Sequence, residues 1–108
     1  MRNYELVYVV RPDMTEQDLG TVRLDVKNRI AGLNGTFEKE DSWGKRQLAF
    51  EVKDYTEGFY TLVKMNLPED GPVKLREQLR IDERIIRYMV TVDERKVVPE
   101  LKPELKDA

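Results

Sequence analysis

The side chains best suited to chemistry in this chain are lysines and arginines that could bind phosphate. A guanidinium or ammonium group neutralises a phosphate oxygen, and each such contact adds to a salt-dependent affinity for nucleic acid. Six basic residues form the candidate set: Arg2, Lys45, Arg46, Lys53, Arg84 and Arg87. Nearby acids such as Asp54 and Glu83 leave open an ordinary ionic surface. Arg2 and Arg87 fall on strands predicted to be neighbours, which favours a shared phosphate-binding patch.

Groups for catalysis are missing from this composition. The sequence has no His and no Cys, which excludes the commonest general base, a thiolate nucleophile and a thiolate zinc site. Glu69 and Asp70 are adjacent, but acids at a helix entrance are typical of capping or of interaction with the helix dipole. No glycine-rich phosphate loop is present. We predict a protein that is not an enzyme and that uses no metal and no cofactor.

Chain length and charge limit which classes of fold and function remain possible. A chain of 108 residues with 40% apolar content can form one domain with a core. Charged residues make up 37%, well above the usual quarter, yet the net charge is only −2. A local patch, and not the overall field, would therefore have to attract RNA. Neither a signal peptide nor a membrane-spanning run is visible, so we predict a soluble, cytoplasmic protein with no membrane partner.

The first half of the chain predicts a strand, a helix and a long strand. Tyr4–Val10 is rich in β-branched and aromatic residues. Thr15 and Asp18 form a weak capping box that begins a helix, and Asn34-Gly35 ends it. The helix carries an apolar stripe at spacings of three and four: Leu19, Val22, Val26, Ile30 and Leu33.

A strand pattern then runs from Thr36 to Lys53 and is interrupted at Ser42-Trp43-Gly44, where the glycine suggests a bulge or a sharp twist. Alternation in its second part predicts two faces. One face is mainly apolar and comprises Arg46, Leu48, Phe50 and Val52. The other is small and polar and comprises Lys45, Gln47, Ala49 and Glu51.

The second half predicts a hairpin connection over 54–58, a strand over Phe59–Leu67, a second helix and a last strand. The odd-numbered residues of Phe59–Leu67 should face the core. Pro72 fits the first helical position. Three apolar residues are the helix's buried candidates: Val73, Leu75 and Leu79. In Ile85–Asp93 we expect inward side chains at Tyr88, Val90 and Val92.

The order strand–helix–strand–strand–helix–strand predicts an α+β fold, the ferredoxin-like βαββαβ sandwich. Its four-stranded antiparallel sheet should carry both helices on one face. We assign residues 1–95 to this domain and 96–108 to a flexible C-terminal tail. The other face of the sheet should be uncovered. Nine residues are expected on it: Glu5, Val7, Val9, Tyr60, Leu62, Lys64, Arg87, Met89 and Thr91.

That open face is about half apolar, which is typical of an interface for RNA or protein, although scattered exposed apolar residues would also explain it. The run Gly58–Val63 faintly resembles the third strand of an RNA-recognition motif. Phe59, however, is one of the odd-numbered residues expected to face the core. Thr61 occupies the position at which the motif needs an aromatic residue that stacks on a base. We therefore expect Phe59 to pack in the core.

Four segments together resemble the bacterial small-subunit ribosomal protein six family. They are Met1–Glu5, Gly44–Lys53, Leu67–Asp70 and Arg80–Val90. Gly44–Lys53 closely follows the family signature, with Phe50 where Tyr is usual and Val52 where Ile is usual. The likeness covers roughly residues 1 to 93.

The resemblance implies a structural component of the small ribosomal subunit in the cytoplasm. Members bind the central domain of small-subunit ribosomal RNA as a heterodimer with small-subunit ribosomal protein eighteen, which is expected to supply much of the positive charge. We assign RNA contacts to Arg2, Lys53, Arg84 and Arg87. We assign partner contacts to Lys45, Arg46, Leu48, Phe50, Tyr60 and Leu62. No small-molecule substrate is expected.

Two other functions fit the predicted fold. A ferredoxin-like homodimeric regulatory module would sense a small ligand at the seam between its subunits. An acylphosphatase-like enzyme would need an anion-binding loop after the first strand, but Arg11–Met14 is short, has one basic residue and lacks Gly.

Overall fold

Strands and helices follow one another in the predicted order. The computed structural model describes residues 2–92. Its elements are β1 (Arg2–Val10), α1 (Glu16–Gly32), β2 (Thr36–Val52), β3 (Tyr55–Leu67), α2 (Gly71–Arg80) and β4 (Ile85–Val92). The strands form one antiparallel sheet in the order β2-β3-β1-β4. The predicted ferredoxin-like fold is confirmed. The predicted domain end at 95 and the tail 96–108 lie outside the described residues.

The core lies between the helices and one face of the sheet. Its buried members include Tyr4, Leu6, Tyr8, Val10, Val22, Val26, Ile30, Val63, Met65, Leu67, Leu75, Leu79 and Ile85. Alternate residues of β1 and β3 therefore face the helices, as their parity predicts. Phe59 packs against the same core, as expected.

Two apolar residues expected inside are exposed. Val73 is 62% exposed, because a spacing of two puts it on the opposite side of α2 from Leu75. Gly71 and Pro72 take the buried positions at the start of that helix. Val92, at the end of β4, is also exposed.

Helix α1 begins and ends as its sequence predicts. The Thr15 hydroxyl accepts a hydrogen bond from the Asp18 amide at 3.1 Å, and the Asp18 carboxylate accepts one from the Thr15 amide at 3.5 Å. These two bonds complete the capping box. At the other end Asn34 adopts the left-handed conformation, with φ of 63°, which stops the helix.

Strand β2 contains the predicted irregularity. Its pairing with β3 shifts between Ser42 and Gly44, so Trp43 is the extra residue of a bulge. Gly44 has φ of 79°, a conformation that a side chain would strain. The hairpin turn is tighter than predicted. Lys53 and Asp54 form it with φ of 51° and 69°, and β3 already begins at Tyr55.

Candidate RNA and protein interface

The sheet face away from the helices is assembled from three neighbouring strands. The register puts Val7 of β1 opposite Leu62 of β3 on one side and opposite Met89 of β4 on the other. In the same way Val9 lies opposite Tyr60 and opposite Arg87. The residues predicted for the open face therefore share one surface.

One end of this face is covered by the chain itself. The Arg87 guanidinium carbon lies 5.2 Å from the centre of the Phe50 ring. Phe50 belongs to β2 and Arg87 to β4, which are opposite edges of the sheet. The end of β2 therefore curls across the sheet, and Val9 is only 1% exposed. The expectation of a wholly uncovered face is wrong at this end.

A cavity of about 260 Å³ lies between the curled end of β2 and the sheet. We call it the hairpin cavity. Its lining is Val7, Val9, Trp43, Ala49, Phe50, Tyr60, Arg87, Tyr88 and Met89. Ala49 and Phe50 both line it, so the predicted alternation fails here. The reason is that pairing with β3 is interrupted between Gln47 and Val52, which frees the backbone from strict pleating.

Trp43 is a site residue that the sequence assignments missed. Its indole stacks on the Tyr60 ring, with centroids 6.2 Å apart and planes at 15°. The indole Nε1 donates to the Asp41 carboxylate at 3.2 Å, and Arg46 Nε donates to the Trp43 carbonyl at 3.3 Å. The signal in the sequence was Gly44 beside it, because the extra residue of a β-bulge points its side chain in a different direction from that of a regular strand.

The six predicted partner residues do not form a single patch. Tyr60 and Phe50 line the hairpin cavity, and Leu62 lies further along the open face. Lys45 lies on the helix side, where its ammonium is 5.3 Å from the ring centre of Phe59. Arg46 is exposed and Leu48 is half-buried on β2, an edge strand.

The predicted RNA contacts are also spread over the domain. Arg2 is exposed at the start of β1, whereas Arg87 pairs with Val9 near the other end. At about 3.3 Å per residue, seven residues of strand separate their backbones by roughly 23 Å. The expectation that Arg2 and Arg87 cluster is therefore wrong. Lys53 is exposed at the hairpin turn, beyond Phe50.

Arg84 is engaged in ion pairs within the domain. Its guanidinium lies 2.7 Å from Asp82 Oδ2 and 2.9 Å from Asp25 Oδ2. Arg29 also reaches Asp82 Oδ2, at 3.0 Å. Hydrogen bonding from Arg84 holds the pKa of Asp82 down at about 2, and the same pairing raises the pKa of Arg84. These contacts tie the loop before β4 to α1.

Among residues 2–92, an anion-binding loop after β1, a metal site and a membrane-spanning helix all have little support. The guanidinium of Arg11, in the loop after β1, is paired with Asp13 at 2.8 Å, and this hydrogen bond lowers the pKa of Asp13. No group of three or more potential metal ligands lies together in that range. Neither described helix is long and apolar enough to cross a membrane.

Comparison with known proteins gives a consistent match. The family model for Ribosomal protein S6 matches residues 3–92. Small ribosomal subunit protein bS6 of Clostridioides difficile (strain 630) is 41% identical over 92 residues, covering 85% of this chain and 99% of that protein. The bS6 protein of Natranaerobius thermophilus is 39% identical over 94 residues, covering 87% and 98%.

A solved structure shares the fold. The crystal structure of 30S ribosomal protein S6 from Thermotoga maritima matches with a TM-score of 0.79. The match covers 98% of this chain and 95% of that one, at 23% sequence identity.

Proposed function

The chain belongs to the Ribosomal protein S6 family, and from this premise we propose that it binds the central domain of small-subunit ribosomal RNA together with small-subunit ribosomal protein eighteen. As a member of this family it is a structural protein of the small ribosomal subunit in the cytoplasm, and it is not an enzyme. The RNA region and the named partner are the proposal.

The observation that carries the proposal is the extent of the family match. It runs over residues 3–92, which is nearly all of the described domain, and the C. difficile relative is covered almost end to end. Apart from Arg2, the first residue of β1, all six elements lie within the matched region, including the curled end of β2.

Charge explains why a partner is needed. With a net charge of −2, the chain as a whole is not attracted electrostatically to RNA. Exposed cations at separate points, Arg2, Lys53 and Arg87, supply local phosphate contacts. A basic partner bound alongside would join them into a larger positive surface.

Contact with the partner protein is assigned to the β2 edge and the uncovered part of the sheet. β2 is an edge strand of the sheet formed by residues 2–92, so within that range the backbone groups along one of its sides have no neighbouring strand. Leu48, Arg46 and Lys45 lie along this strand, and Leu62 lies on the adjacent face. Docking of this kind combines backbone pairing with apolar burial.

Two measurements test the proposal. Small subunits isolated from the source cell should contain one copy of this polypeptide, and its absence from them would overturn the assignment. The purified chain mixed with small-subunit ribosomal protein eighteen should elute as a 1:1 complex, and that complex should bind a central-domain RNA fragment more tightly than this chain alone. Separate elution of the two proteins would refute the heterodimer.

A further inference from the structure

The hairpin cavity combines an aromatic lining with a cation at its edge. Trp43, Tyr60 and Phe50 contribute rings, and Val7 and Met89 contribute aliphatic surface. Arg87 is exposed and lies over the Phe50 ring. Among residues 2–92 Arg87 makes no ion pair, unlike Arg84, Arg11 and Arg29. Its hydrogen-bond donors therefore remain available to an anion beside an apolar, aromatic slot.

An aromatic cavity with a cation at its edge matches the chemistry of a nucleotide. A base has a planar face that stacks on aromatic rings and on guanidinium planes, and the phosphate attached to it needs a cation. Arg46 does not line the cavity, but its Nε donates to the carbonyl of Trp43, so a second cation lies close to one lining residue. We propose that the hairpin cavity accepts one unpaired base of RNA while Arg87 contacts its phosphate.

The inference rests on the proposed function, since ribosomal RNA is the nucleic acid this family member would meet. It moves Phe50 and Tyr60 from the partner surface to the RNA surface. The aromatic slot comes from β2 and its bulge, and not from the strand run 58–63 that resembles an RNA-recognition motif.

Other occupants fit less well. At about 260 Å³ the cavity lies below the roughly 300–1,000 Å³ usual for drug-sized ligands, which favours a group as small as a single base. An apolar side chain of a basic partner protein could fill the slot, but it would bring no anion to Arg87. Because Arg87 makes no ion pair with any of residues 2–92, an occupant that supplies an anion is favoured, and a nucleotide does so.

The single tryptophan of the chain is a built-in reporter, because it lines the cavity. The full-length protein is titrated with hexaadenylate RNA and with an abasic hexamer of the same backbone charge, while Trp43 emission is recorded. We expect quenching by hexaadenylate and little response to the abasic hexamer. Phe50→Ala should weaken hexaadenylate binding by about 5- to 150-fold, the range for losing one stacked base. Phe50 is 61% exposed, so the variant should stay folded.

Two further variants complete the design. Arg87→Gln should weaken binding and reduce the salt slope by about 0.7, the value for one lost single-strand phosphate contact. Val73→Ala, exposed on α2, is the matched control and should behave as wild type. Circular dichroism checks that each variant is folded.

Three results would overturn the cavity assignment. Equal responses to both hexamers would mean phosphate contact without a base site, and RNA binding by the heterodimer would stand. No response to hexaadenylate would also refute it. If small-subunit ribosomal protein eighteen shifts Trp43 emission in a Phe50-dependent way and hexaadenylate does not, the cavity belongs to the protein interface.

Discussion

The carboxylate of Asp82 accepts two parallel hydrogen bonds from the guanidinium of Arg84, from Nε at 2.9 Å and from Nη2 at 2.7 Å. The Asp82 side chain is only 6% exposed, and Arg29 of α1 approaches it from another side. Arg84 thus has a structural role that its position in the sequence does not reveal. Arg84 can contact RNA only through guanidinium N–H groups that Asp82 and Asp25 do not already engage.

Asp82 should make stability depend on pH. Its pKa falls from an ordinary 3.8 to about 2 in the folded protein, so the folded state favours the charged form. The stabilisation is fully present above about pH 5 and is lost as the pH falls towards 2. At pH 6 we expect the free energy of unfolding of wild type to be higher than that of Asp82→Asn by about 1–2 kcal/mol.

Urea unfolding of both proteins between pH 6 and pH 2 measures this difference. The advantage of wild type should shrink steadily over that interval. A difference that stays constant with pH would mean that the effect comes from packing and not from the charge on Asp82.

Arg87 should contribute one phosphate contact while supporting the fold only weakly. It is exposed and makes no ion pair within residues 2–92, so Arg87→Ala should lower the free energy of unfolding by no more than about 0.5–1 kcal/mol, the value of its exposed contact with the Phe50 ring. In the heterodimer with a central-domain RNA fragment, it should lower the slope of log affinity against log salt by about one.

Filter binding over a series of salt concentrations gives that slope. Arg76→Ala is the matched control, because Arg76 is exposed on α2, on the helix side of the sheet. The same slope for wild type and Arg87→Ala would remove Arg87 from the RNA surface.

Leu48→Asp should abolish pairing with small-subunit ribosomal protein eighteen. Leu48 lies on edge strand β2, and a buried carboxylate without a partner at this contact would cost several kcal/mol. Leu24→Asp is the control, because Leu24 is exposed on α1. Size-exclusion chromatography distinguishes the two variants once circular dichroism has shown both to be folded. A complex that survives Leu48→Asp would move the partner surface elsewhere.

Gly58 should resist substitution because β1 approaches it closely. A Cβ at Gly58 would clash with Val9 Cγ1 and would lie 2.8 Å from the Val10 carbonyl oxygen. Gly58→Ala should therefore lower the free energy of unfolding by about 1–3 kcal/mol. Gly20→Ala, in open space on α1, should raise it by about 0.5–1 kcal/mol. Thermal unfolding compares them, and equal melting temperatures would contradict the close approach.

The local features of this fold were predictable from sequence. Thr15 and Asp18 are three residues apart, so their capping box follows from spacing alone. The stripe through Val22, Val26 and Ile30 follows from helical periodicity. The glycine after Trp43 indicated an irregularity in β2, and the structure shows which of the two expected kinds, a bulge, is present. The hairpin turn was placed too late because Lys53-Asp54 lacks the Asn-Gly that usually marks a two-residue turn.

The order of elements, the core faces and the family resemblance could be read from the chain alone, because they depend on short-range periodicity and on residue types. Tertiary structure alone decided that β2 curls over the sheet, that Phe50 meets Arg87 and that Arg84 is held by Asp82 and Asp25. Each of these contacts joins residues from different elements. Their geometry depends on strand twist, register and loop path, which no local pattern in the chain encodes.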